Sequence, residues 1–447
     1  MKSLSDIAAE LQGYDASALP AGKVNEFLAE LVQPVMQVES VALMDALDRI
    51  LAQDVISPIS VPAHDNSAMD GFAFRGAELK EDQVTAFQIV GIAFAGKAWQ
   101  GTVQPGQCVK IMTGAVMPND LDTVIPQEMC SLQGGVISIA AGVLKTGDNR
   151  RFAGEDLKAG SVALSKGEQL TPAALGLLAS LNMPTVQVVR KLKVAYFSTG
   201  DEVLSLGNAP REGAIYDSNR YTVIGLLRRW GHEVIDMGVV RDSPQALEAA
   251  FMLAASQADA IITSGGVSVG EADHTKAMMK KLGDVAFWKI AMRPGRPMAV
   301  GRILRAKSAT SQHGISAERY EKDSDSCILF GLPGNPVATM VTMLCFVRPA
   351  LLRMSGANAQ RYCGQPLYLQ ANSQERLRKK SGRTEYQRGL VTRAADGSLS
   401  VRTTSSNQGS GVLSSMVAAN GLIVLHHEQG NVEVGEKVDV MMFEGVM

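Results

Sequence analysis

Three loops rich in small residues follow apolar strand candidates, the places where open α/β sheets bind their ligands. LKVAYF runs into STGDE at 198–202, DAIIT runs into SGGVSVG at 264–270, and CILF runs into GLPGNP at 331–336. Glycines let backbone N–H groups approach an anion, and a helix N-terminus beyond them favours phosphate. One such loop could be a tight turn, but three at adjacent strand ends favour a binding site. The candidate contacts are Thr199, Gly265, Gly266, Ser268, Pro333, Asn335 and Pro336.

Acidic side chains accompany the same strand ends. Glu202 belongs to the first loop, Asp242 follows a strand ending in GVV, and Asp273 begins a helix beyond the second loop. Mg²⁺ is often held by one or two carboxylates together with phosphate oxygens. Each residue alone is more simply a helix-capping group, stabilising the helix dipole by about 0.3 to 1 kcal/mol. Together they favour a magnesium-dependent reaction at a phosphate.

Other segments also carry residue types suited to a polar substrate. PAHDNSAMDGFA at 62–73 is dense in short polar side chains and contains Asp70, although Asp-Gly is also a turn dipeptide. RPGRP places Arg293 and Arg296 on a proline-stiffened loop, which suits an oxyanion or, more simply, a solvated turn. The basic run at 376–388 adds Arg383 and Arg388, where a solvated strand face is the simpler interpretation for most members.

Motif and composition arguments exclude several other classes. No G-x-G-x-x-G follows a strand and no G-x-x-x-x-G-K-[ST] occurs, which disfavours nicotinamide and common NTPase chemistry. The 45 acidic and 43 basic side chains nearly cancel, so we expect no nucleic-acid partner. We also expect no membrane span or signal peptide, because no apolar run is long enough and the first residues are acidic. Five widely spaced cysteines without C-x-x-C fit a reducing cytoplasm.

The pattern of apolar residues changes three times along the 447 residues. Helical spacing at Phe27, Leu28, Leu31 and Val32, and again at Ala42, Leu43, Ala46 and Leu47, predicts two helices in the opening stretch. Short β-type runs separated by turns predict a β-rich insertion over 58–154, after which the first unit resumes. Alternating strands and helices over 191–355 predict a doubly wound α/β domain, and residues 356–447 return to short strands. The polar stretch near 305–325 is predicted to be an exposed insertion.

The order of these motifs resembles one known family. NSAMDGFA, KIMTGA, RFAGED, STGDE, TSGGVSVGEAD, RPGR, GLPGNP and SNQGSG occur in this order and span nearly the whole chain. They resemble the molybdopterin molybdenumtransferases, a family that includes the E domain of gephyrin. The resemblance implies an elongated homodimer, with a discontinuous linker and dimerisation domain over 1–57 and 155–190 and a barrel-like C-terminal domain.

The resemblance also implies an activity and residue roles. The family inserts molybdate into adenylylated molybdopterin with Mg²⁺, releasing AMP and molybdenum cofactor. By motif, Asp70, Glu202, Asp242 and Asp273 occupy the essential acidic positions, the last three as candidate metal ligands. Thr113 and Asp156 are expected to line the cleft, Arg293 and Arg296 to hold molybdate, and Pro333 and Pro336 to shape the pterin side.

Two departures and two alternatives accompany this interpretation. The family commonly has Lys-Pro-Gly-Lys where this chain has Arg293 and Arg296, which keeps the charge but changes the hydrogen-bonding geometry. The polar stretch near 305–325 is longer than the family's usual hairpin. The alternatives are the adenylyltransferase that precedes this step, which is also a possible partner, and a non-catalytic dimeric scaffold of the gephyrin type.

Overall fold

The computed structural model describes residues 2–267, 274–305, 326–364 and 366–447. Ser268, Asp273 and the polar insertion from residue 306 onward therefore lie outside the described residues. Arg305 is described, and its Nη2 donates to the carbonyl oxygen of Ala258 at 2.7 Å. This residue is thus attached to the body of the protein.

The chain up to residue 189 is built mainly from short strands. Its helices are α1 (Leu4–Glu10), α2 (Ala21–Leu31) and α3 (Pro172–Ser180). Its strands are β1 (Leu19–Pro20), β2 (Val38–Ala42), β3 (Val55–Ile56), β4 (Asn66–Ser67), β5 (Gly71–Phe74), β6 (Thr85–Ala93), β7 (Gln107–Ile111), β8 (Thr123–Pro126), β9 (Ser131–Gln133), β10 (Val136–Ile139), β11 (Arg150–Arg151), β12 (Val162–Leu164) and β13 (Thr185–Val189). Short 3₁₀ turns cover Leu43–Asp45, Gly76–Glu78 and Gln127–Met129.

The segments on either side of the β-rich insertion pair with each other. Strand β2 is antiparallel to β13, and β3 is antiparallel to β12. The helix predicted at Phe27 is confirmed as α2, but the helix predicted from Ala42 to Leu47 is wrong. Strand β2 ends at Ala42 and a 3₁₀ turn covers Leu43–Asp45. No α-helix continues, because Asp48 has a φ of +62° and its N–H donates to the Leu170 carbonyl at 2.8 Å.

The inserted domain is a six-stranded sheet in the order β8-β5-β7-β6-β10-β9. This arrangement confirms the short strands predicted between Gly and Asn/Asp turns. Two apolar clusters form its interior, one around Val109 and Ile111 and the other around Phe74 and Phe87. The rings of Phe74 and Phe87 stack with centroids 4.6 Å apart. The insertion therefore has its own core.

The remainder of the chain alternates strands and helices before ending in strands. Its strands are β14 (Lys193–Thr199), β15 (Val203–Leu204), β16 (Ile215–Tyr216), β17 (Glu233–Val240), β18 (Ala260–Ser264), β19 (Gly283–Arg293), β20 (Pro297–Leu304), β21 (Ser326–Leu332), β22 (Leu369–Ser373), β23 (Thr384–Arg393), β24 (Leu399–Thr403), β25 (Gly421–Leu425) and β26 (Lys437–Met442). Its helices are α4 (Ser218–Arg229), α5 (Pro244–Gln257), α6 (His274–Leu282), α7 (Pro336–Thr342), a π-helical turn (Met343–Val347), α8 (Arg348–Met354), α9 (Ala359–Tyr362) and α10 (Ser414–Val417).

The α/β sheet runs in the order β17-β14-β18-β21-β20-β19. Strands β17, β14, β18 and β21 are parallel, whereas β20 and β19 are antiparallel to their neighbours. Side chains alternate along β14: Val194 and Tyr196 join the core that contains α4, and Ala195 and Phe197 join the core that contains α5. Helices therefore cover both faces of the sheet, as the strand and helix alternation predicted.

Helix boundaries follow the local capping signals. Ser243 caps α5 through its hydroxyl, which accepts from the N–H of Ala246 at 3.4 Å, and Pro244 occupies the first helical position. Asp217 caps α4 in the same way. The continuous helical stretch Pro336–Met354 is long and apolar enough to cross a membrane, but 83% of its apolar window is buried inside the protein. It forms part of the α/β core.

The last strands form a closed barrel in the order β23-β24-β22-β26-β25, with β25 pairing back to β23. The barrel is joined to the α/β sheet because β19 also pairs with β23, placing Met292 opposite Thr384 and Arg293 opposite Glu385. This link brings the barrel against the carboxyl edge of the parallel strands. Domain limits at single-residue precision remain predictions.

Replacing residues 306–325 by Gly-Ser-Gly should change the unfolding free energy by no more than about 1 kcal/mol. Strands β20 and β21 are adjacent and antiparallel, with Leu304 opposite Ser326, so a short turn can join them. Arg305 is retained because of its contact with Ala258. Thermal and urea unfolding of the variant and wild type test this expectation. A large loss of stability would show that the polar segment packs on the body of the protein.

Candidate active site

A cavity of about 750 Å³ lies at the carboxyl edge of the parallel strands. It lies at the point where the strand order of the sheet reverses. The chain passes from β14 through α4 to β17 on one side of β14, and then through α5 to β18 on its other side. Crevices at such positions are the usual ligand sites of open α/β sheets. The predicted site residues that line it are Thr199, Glu202, Gly265, Gly266, Arg293, Arg296, Pro333, Asn335, Pro336 and Arg383.

Two glycines bring the loops after β14 and β18 into close contact. Gly265 and Gly266 have φ angles of +93° and +65°, which side chains rarely tolerate. A Cβ atom on Gly265 would lie 2.3 Å from the carbonyl oxygen of Thr199, and one on Gly266 would lie 2.4 Å from the Thr275 hydroxyl. Glycine is therefore required at both positions for contacts within the protein, while the approach of their backbone to a bound anion stays a prediction. Gly200 leaves room for the Glu202 side chain, because a Cβ atom on Gly200 would lie 2.6 Å from the Glu202 carboxylate.

The third predicted loop is held rigidly against the first turn of α4. The Thr339 hydroxyl donates to the Pro333 carbonyl at 2.7 Å, and Nδ2 of Asn219 donates to the Gly334 carbonyl at 2.7 Å. The side chain of Asn335 makes no capping hydrogen bond to α7, although it occupies the cap position. This leaves the Asn335 amide beside the cavity without a role in starting the helix.

Two guanidinium groups stand on the hairpin between β19 and β20. Arg293 ends β19, Arg296 lies in the turn, and both side chains are exposed on the cavity wall. Gly295 makes this turn possible, with a φ of +99° and Thr342 packed 3.0 Å from where a Cβ would be. Two positive charges therefore line the same cavity as the glycine loops, an arrangement suited to an oxyanion or phosphate.

Arg383 and Arg388 differ sharply in their surroundings. Arg383 lines the cavity and forms a salt bridge with buried Glu385 at 2.7 Å. Arg388 is fully buried beneath the loop at 407–410: its Nε donates to the Ser415 hydroxyl, and its Nη atoms donate to the carbonyls of that loop. Burial lowers the pKa of Arg388 to about 10. Arg388 thus holds a cavity-lining loop in place and does not itself line the cavity.

A buried hydroxyl network joins the strand ends beneath the cavity floor. The Tyr196 hydroxyl lies 2.8 Å from the Ser198 hydroxyl and 2.7 Å from the Ser264 hydroxyl. Burial raises the pKa of Tyr196 well above its usual range, so its hydroxyl stays protonated. Sequence reasoning did not select Tyr196, because its strand position predicts only a core residue. The network fixes the ends of β14 and β18 relative to each other.

Several predicted site residues lie away from this cavity. In the inserted domain, Oδ1 of Asp70 accepts hydrogen bonds from the N–H and hydroxyl of Thr113 at 2.6 and 2.7 Å. The N–H bond is the main reason that the pKa of Asp70 is lowered. Asp156 is exposed, and Asp242 accepts a 3.4 Å hydrogen bond from Thr275. None of these four lines the cavity.

Comparison with known proteins identifies the family. Residues 21–182 match the MoeA N-terminal region (domain I and II), 195–353 match a probable molybdopterin binding domain, and 370–443 match the MoeA C-terminal region (domain IV). A molybdopterin molybdenumtransferase of Haemophilus influenzae is 41% identical over 424 residues, covering 95% of this chain and 98% of that protein. The chain belongs to the molybdopterin molybdenumtransferase family.

Two other comparisons agree with this assignment. A molybdopterin molybdenumtransferase of Nostoc is 33% identical over 407 residues, covering 90% of this chain and 88% of that protein. A solved MoeA protein of Pyrococcus horikoshii superimposes with a TM-score of 0.76 at 24% identity, covering 95% of this chain and all of that chain. The predicted fold class is therefore confirmed: inserted β-rich domain, doubly wound α/β domain and C-terminal barrel.

Metal-binding residues are not assembled within the described part of the chain. Residues 2–267, 274–305, 326–364 and 366–447 contain no group of three His, Cys, Asp or Glu side chains placed to hold one ion. Of the three predicted ligands in this family member, Glu202 lines the cavity, Asp242 does not, and Asp273 lies outside the described residues. Any Mg²⁺ held by Glu202 would need further oxygen ligands from the substrate or from water.

Replacing Arg388 by Met should destabilise the barrel strongly. The substitution removes a fully buried guanidinium that donates to the Ser415 hydroxyl and to the carbonyls of residues 407–409, and a hydrogen bond to a charged group is worth about 1.5 to 3 kcal/mol, so we expect a loss of roughly 3 kcal/mol or more. Urea unfolding measures this loss. Arg402→Met, on an exposed position of the same barrel, is the matched control and should change little. Equal stability of the two variants would contradict the supporting role of Arg388.

Proposed function

We propose that this chain inserts molybdate into adenylylated molybdopterin, releasing AMP and molybdenum cofactor. The observation that carries this proposal is the placement of Arg293, Arg296 and the Gly265-Gly266 loop in one cavity. The cavity's sheet lies in the region that matches a probable molybdopterin binding domain. Two relatives that match at least 90% of the chain are named for molybdenum transfer.

The cavity offers the groups that such a reaction needs. Cleaving the diphosphate of an adenylylated pterin increases negative charge on the phosphate oxygens of the departing AMP. Arg293, Arg296 and the Gly266 backbone line the same cavity, so their N–H groups can stabilise this charge, whereas the N–H of Gly265 already donates to the Leu332 carbonyl at 3.2 Å. A small oxyanion such as molybdate fits the same guanidinium groups, since it is held by charge-assisted hydrogen bonds.

Magnesium is part of this proposal. The exposed Glu202 carboxylate on the cavity wall fits the preference of Mg²⁺ for oxygen ligands. Bound there, the ion would neutralise charge on the diphosphate. Glu202 is the described residue that would hold it, while the contributions of Asp242 and Asp273 remain predictions.

A homodimer explains the separation of the predicted site residues. Asp70 and Thr113 of the inserted domain, and Asp156 just beyond it, are exposed and do not line the cavity of their own chain. A symmetric pair can place such residues over the partner's cavity. Contact with the adenylyltransferase that supplies the substrate, and a cytoplasmic location, remain predictions from the sequence.

One assay separates this function from its alternatives. Purified protein is incubated with adenylylated molybdopterin, molybdate and Mg²⁺, and AMP release is followed with molybdenum incorporation. The proposed activity releases AMP in step with incorporation. An adenylyltransferase would instead consume ATP and release pyrophosphate, and a scaffold would do neither.

Replacing Asp70 by Asn should lower AMP release roughly 100-fold, because it keeps the shape and removes a charge from a site built around cations. Asp396→Asn is the matched control: this exposed carboxylate accepts the same pair of hydrogen bonds, from the N–H and hydroxyl of Ser398, in a barrel turn. Unchanged turnover in Asp70→Asn would show that Asp70 is only a turn residue.

Mixing Asp70→Asn with Arg296→Ala tests the shared site. If each cavity is completed by its partner, randomly exchanged dimers should recover about a quarter of wild-type AMP release, because half are mixed and each mixed dimer has one intact site. The two variants are mixed under conditions that allow subunit exchange. No recovery, despite exchange shown by tagged subunits, would contradict a site built from two chains.

Replacing Arg296 by Ala should raise the molybdate concentration needed for half-maximal AMP release about 10- to 100-fold, because a small oxyanion is held by few charge-assisted hydrogen bonds. Binding of adenylylated molybdopterin should change little, and Arg296→Lys should recover much of the loss because the charge remains. Molybdate titrations with bound pterin measured in parallel give both results, with Arg402→Ala as control. Equal molybdate dependence in wild type and Arg296→Ala would rule out the assignment.

A further inference from the structure

Two polar side chains at the start of α4 carry unpaired acceptor atoms on the cavity wall. Asp217 is 4% exposed and Asn219 is 8% exposed, and both line the cavity. Oδ2 of Asp217 and Oδ1 of Asn219 are buried without a hydrogen-bond partner among the described residues. Leaving such atoms unpaired costs about 1 to 3 kcal/mol, and more for a charged group. Groups of this kind at a cavity indicate a ligand that pairs with them.

The other atoms of both side chains are already committed, which fixes what the free atoms can do. Oδ1 of Asp217 accepts from the N–H of Arg220 at 3.0 Å and caps the helix. Nδ2 of Asn219 donates to the Gly334 carbonyl at 2.7 Å, so the hydrogen-bond network itself orients the amide. Both free atoms are therefore acceptors. A matching ligand must present hydrogen-bond donors.

Asp217 accepts from the backbone N–H of Arg220 and makes no hydrogen bond to its guanidinium. The Arg220 guanidinium forms a bidentate salt bridge with Asp236, at 2.8 and 2.9 Å. Arg293 and Arg296 stand on the β19–β20 hairpin. The cavity thus has a wall of acceptors at α4, distinct from the cationic wall at Arg293 and Arg296, and a single ligand with a donor end and an anionic end would match both.

We propose that Asp217 and Asn219 recognise the pyrimidine edge of the pterin. This inference rests on the proposed function and adds the orientation of its substrate. A pterin presents its 2-amino group and ring N3–H side by side, two donors that a carboxylate and an amide oxygen can accept together. The diphosphate then extends toward the glycine loops and the arginines. Asp217 and Asn219 are positioning residues, since they touch the end of the substrate remote from the phosphates.

A ribose diol offers donors of the same kind, so the test must separate the two parts of the substrate. Pterin-6-carboxylate and lumazine-6-carboxylate differ only in position 2, where the lumazine has a carbonyl oxygen in place of the amino group. A site built to accept from that amino group rejects the carbonyl, because two acceptors then face each other. AMP probes the ribose without any pterin.

The experiment compares equilibrium binding of these three ligands to wild-type protein, Asp217→Asn and Asp217→Ser. Asn and Ser both retain the helix cap, but Asn turns the free acceptor into a donor and Ser deletes it. Wild type should prefer the pterin about 10- to 100-fold, the value of one charge-assisted hydrogen bond. Both variants should lose that preference while AMP affinity stays within about two-fold. Asp396→Asn, which removes a distant exposed charge, should behave as wild type.

Three results would overturn the inference. They are equal binding of pterin and lumazine by wild type, an unchanged preference in both variants, or a loss confined to AMP, which would assign the acceptors to the ribose. A changed Mg²⁺ requirement with unaltered pterin preference would likewise count against it, since Asp217 would then serve the metal. AMP release by wild type is measured on the same preparations. Turnover without pterin preference would refute this inference and leave the proposed function standing.

Discussion

The close approach of two loops at the edge of the α/β sheet is the constraint on which the rest of the cavity depends. Because Gly265 has no side chain, its backbone can lie against the Thr199 carbonyl. The hydroxyls of Tyr196, Ser198 and Ser264 then lock the ends of β14 and β18 together. Because these strand ends are close together, residues of α4 and of the β19–β20 hairpin line the same cavity and can contact one ligand. A wider gap would leave two unrelated polar surfaces.

The barrel contributes to this cavity through an extension of the sheet itself. Strand β19 is eleven residues long and pairs with β20 along most of its length before pairing with β23 at its end. The same two residues, Met292 and Arg293, therefore belong to the cavity wall and to the barrel junction. Arg388 completes the arrangement from beneath, since its buried charge is satisfied by the carbonyls of the 407–409 stretch. The position of the Arg293 charge on the cavity wall therefore depends on the pairing of β19 with the barrel strand β23.

The sequence predicted the parts of this structure that depend on local signals. Ser243 and Pro244 predicted the start of α5, and the glycine-rich loops after β14 and β18 predicted the cavity. Both signals could be recognised because helix capping and positive φ angles depend on residues adjacent in the sequence. The prediction over Ala42 to Leu47 was wrong because backbone contacts with distant residues, Ala42 with Thr185 and Asp48 with Leu170, replace helical ones at the two ends of this range. Asp217 carried only a capping signal. Its second oxygen is unpaired while Arg220 bonds to Asp236, and the free oxygen of Asn219 depends on the bond from its amide to Gly334, contacts that sequence spacing does not connect.

The strand pairs that flank the inserted domain are nested one inside another. Asn66 pairs with Arg151, Ile56 with Val162, and Ala42 with Thr185, each pair enclosing the one before. Forming the outermost pair first would close a loop of about 140 residues, whereas a folded insertion leaves only short segments to join at each step. Connectivity therefore favours one order of assembly. The insertion folds first, and the flanking strand pairs then form one after another, from the innermost pair to the outermost, as base pairs do in the stem of a nucleic-acid hairpin.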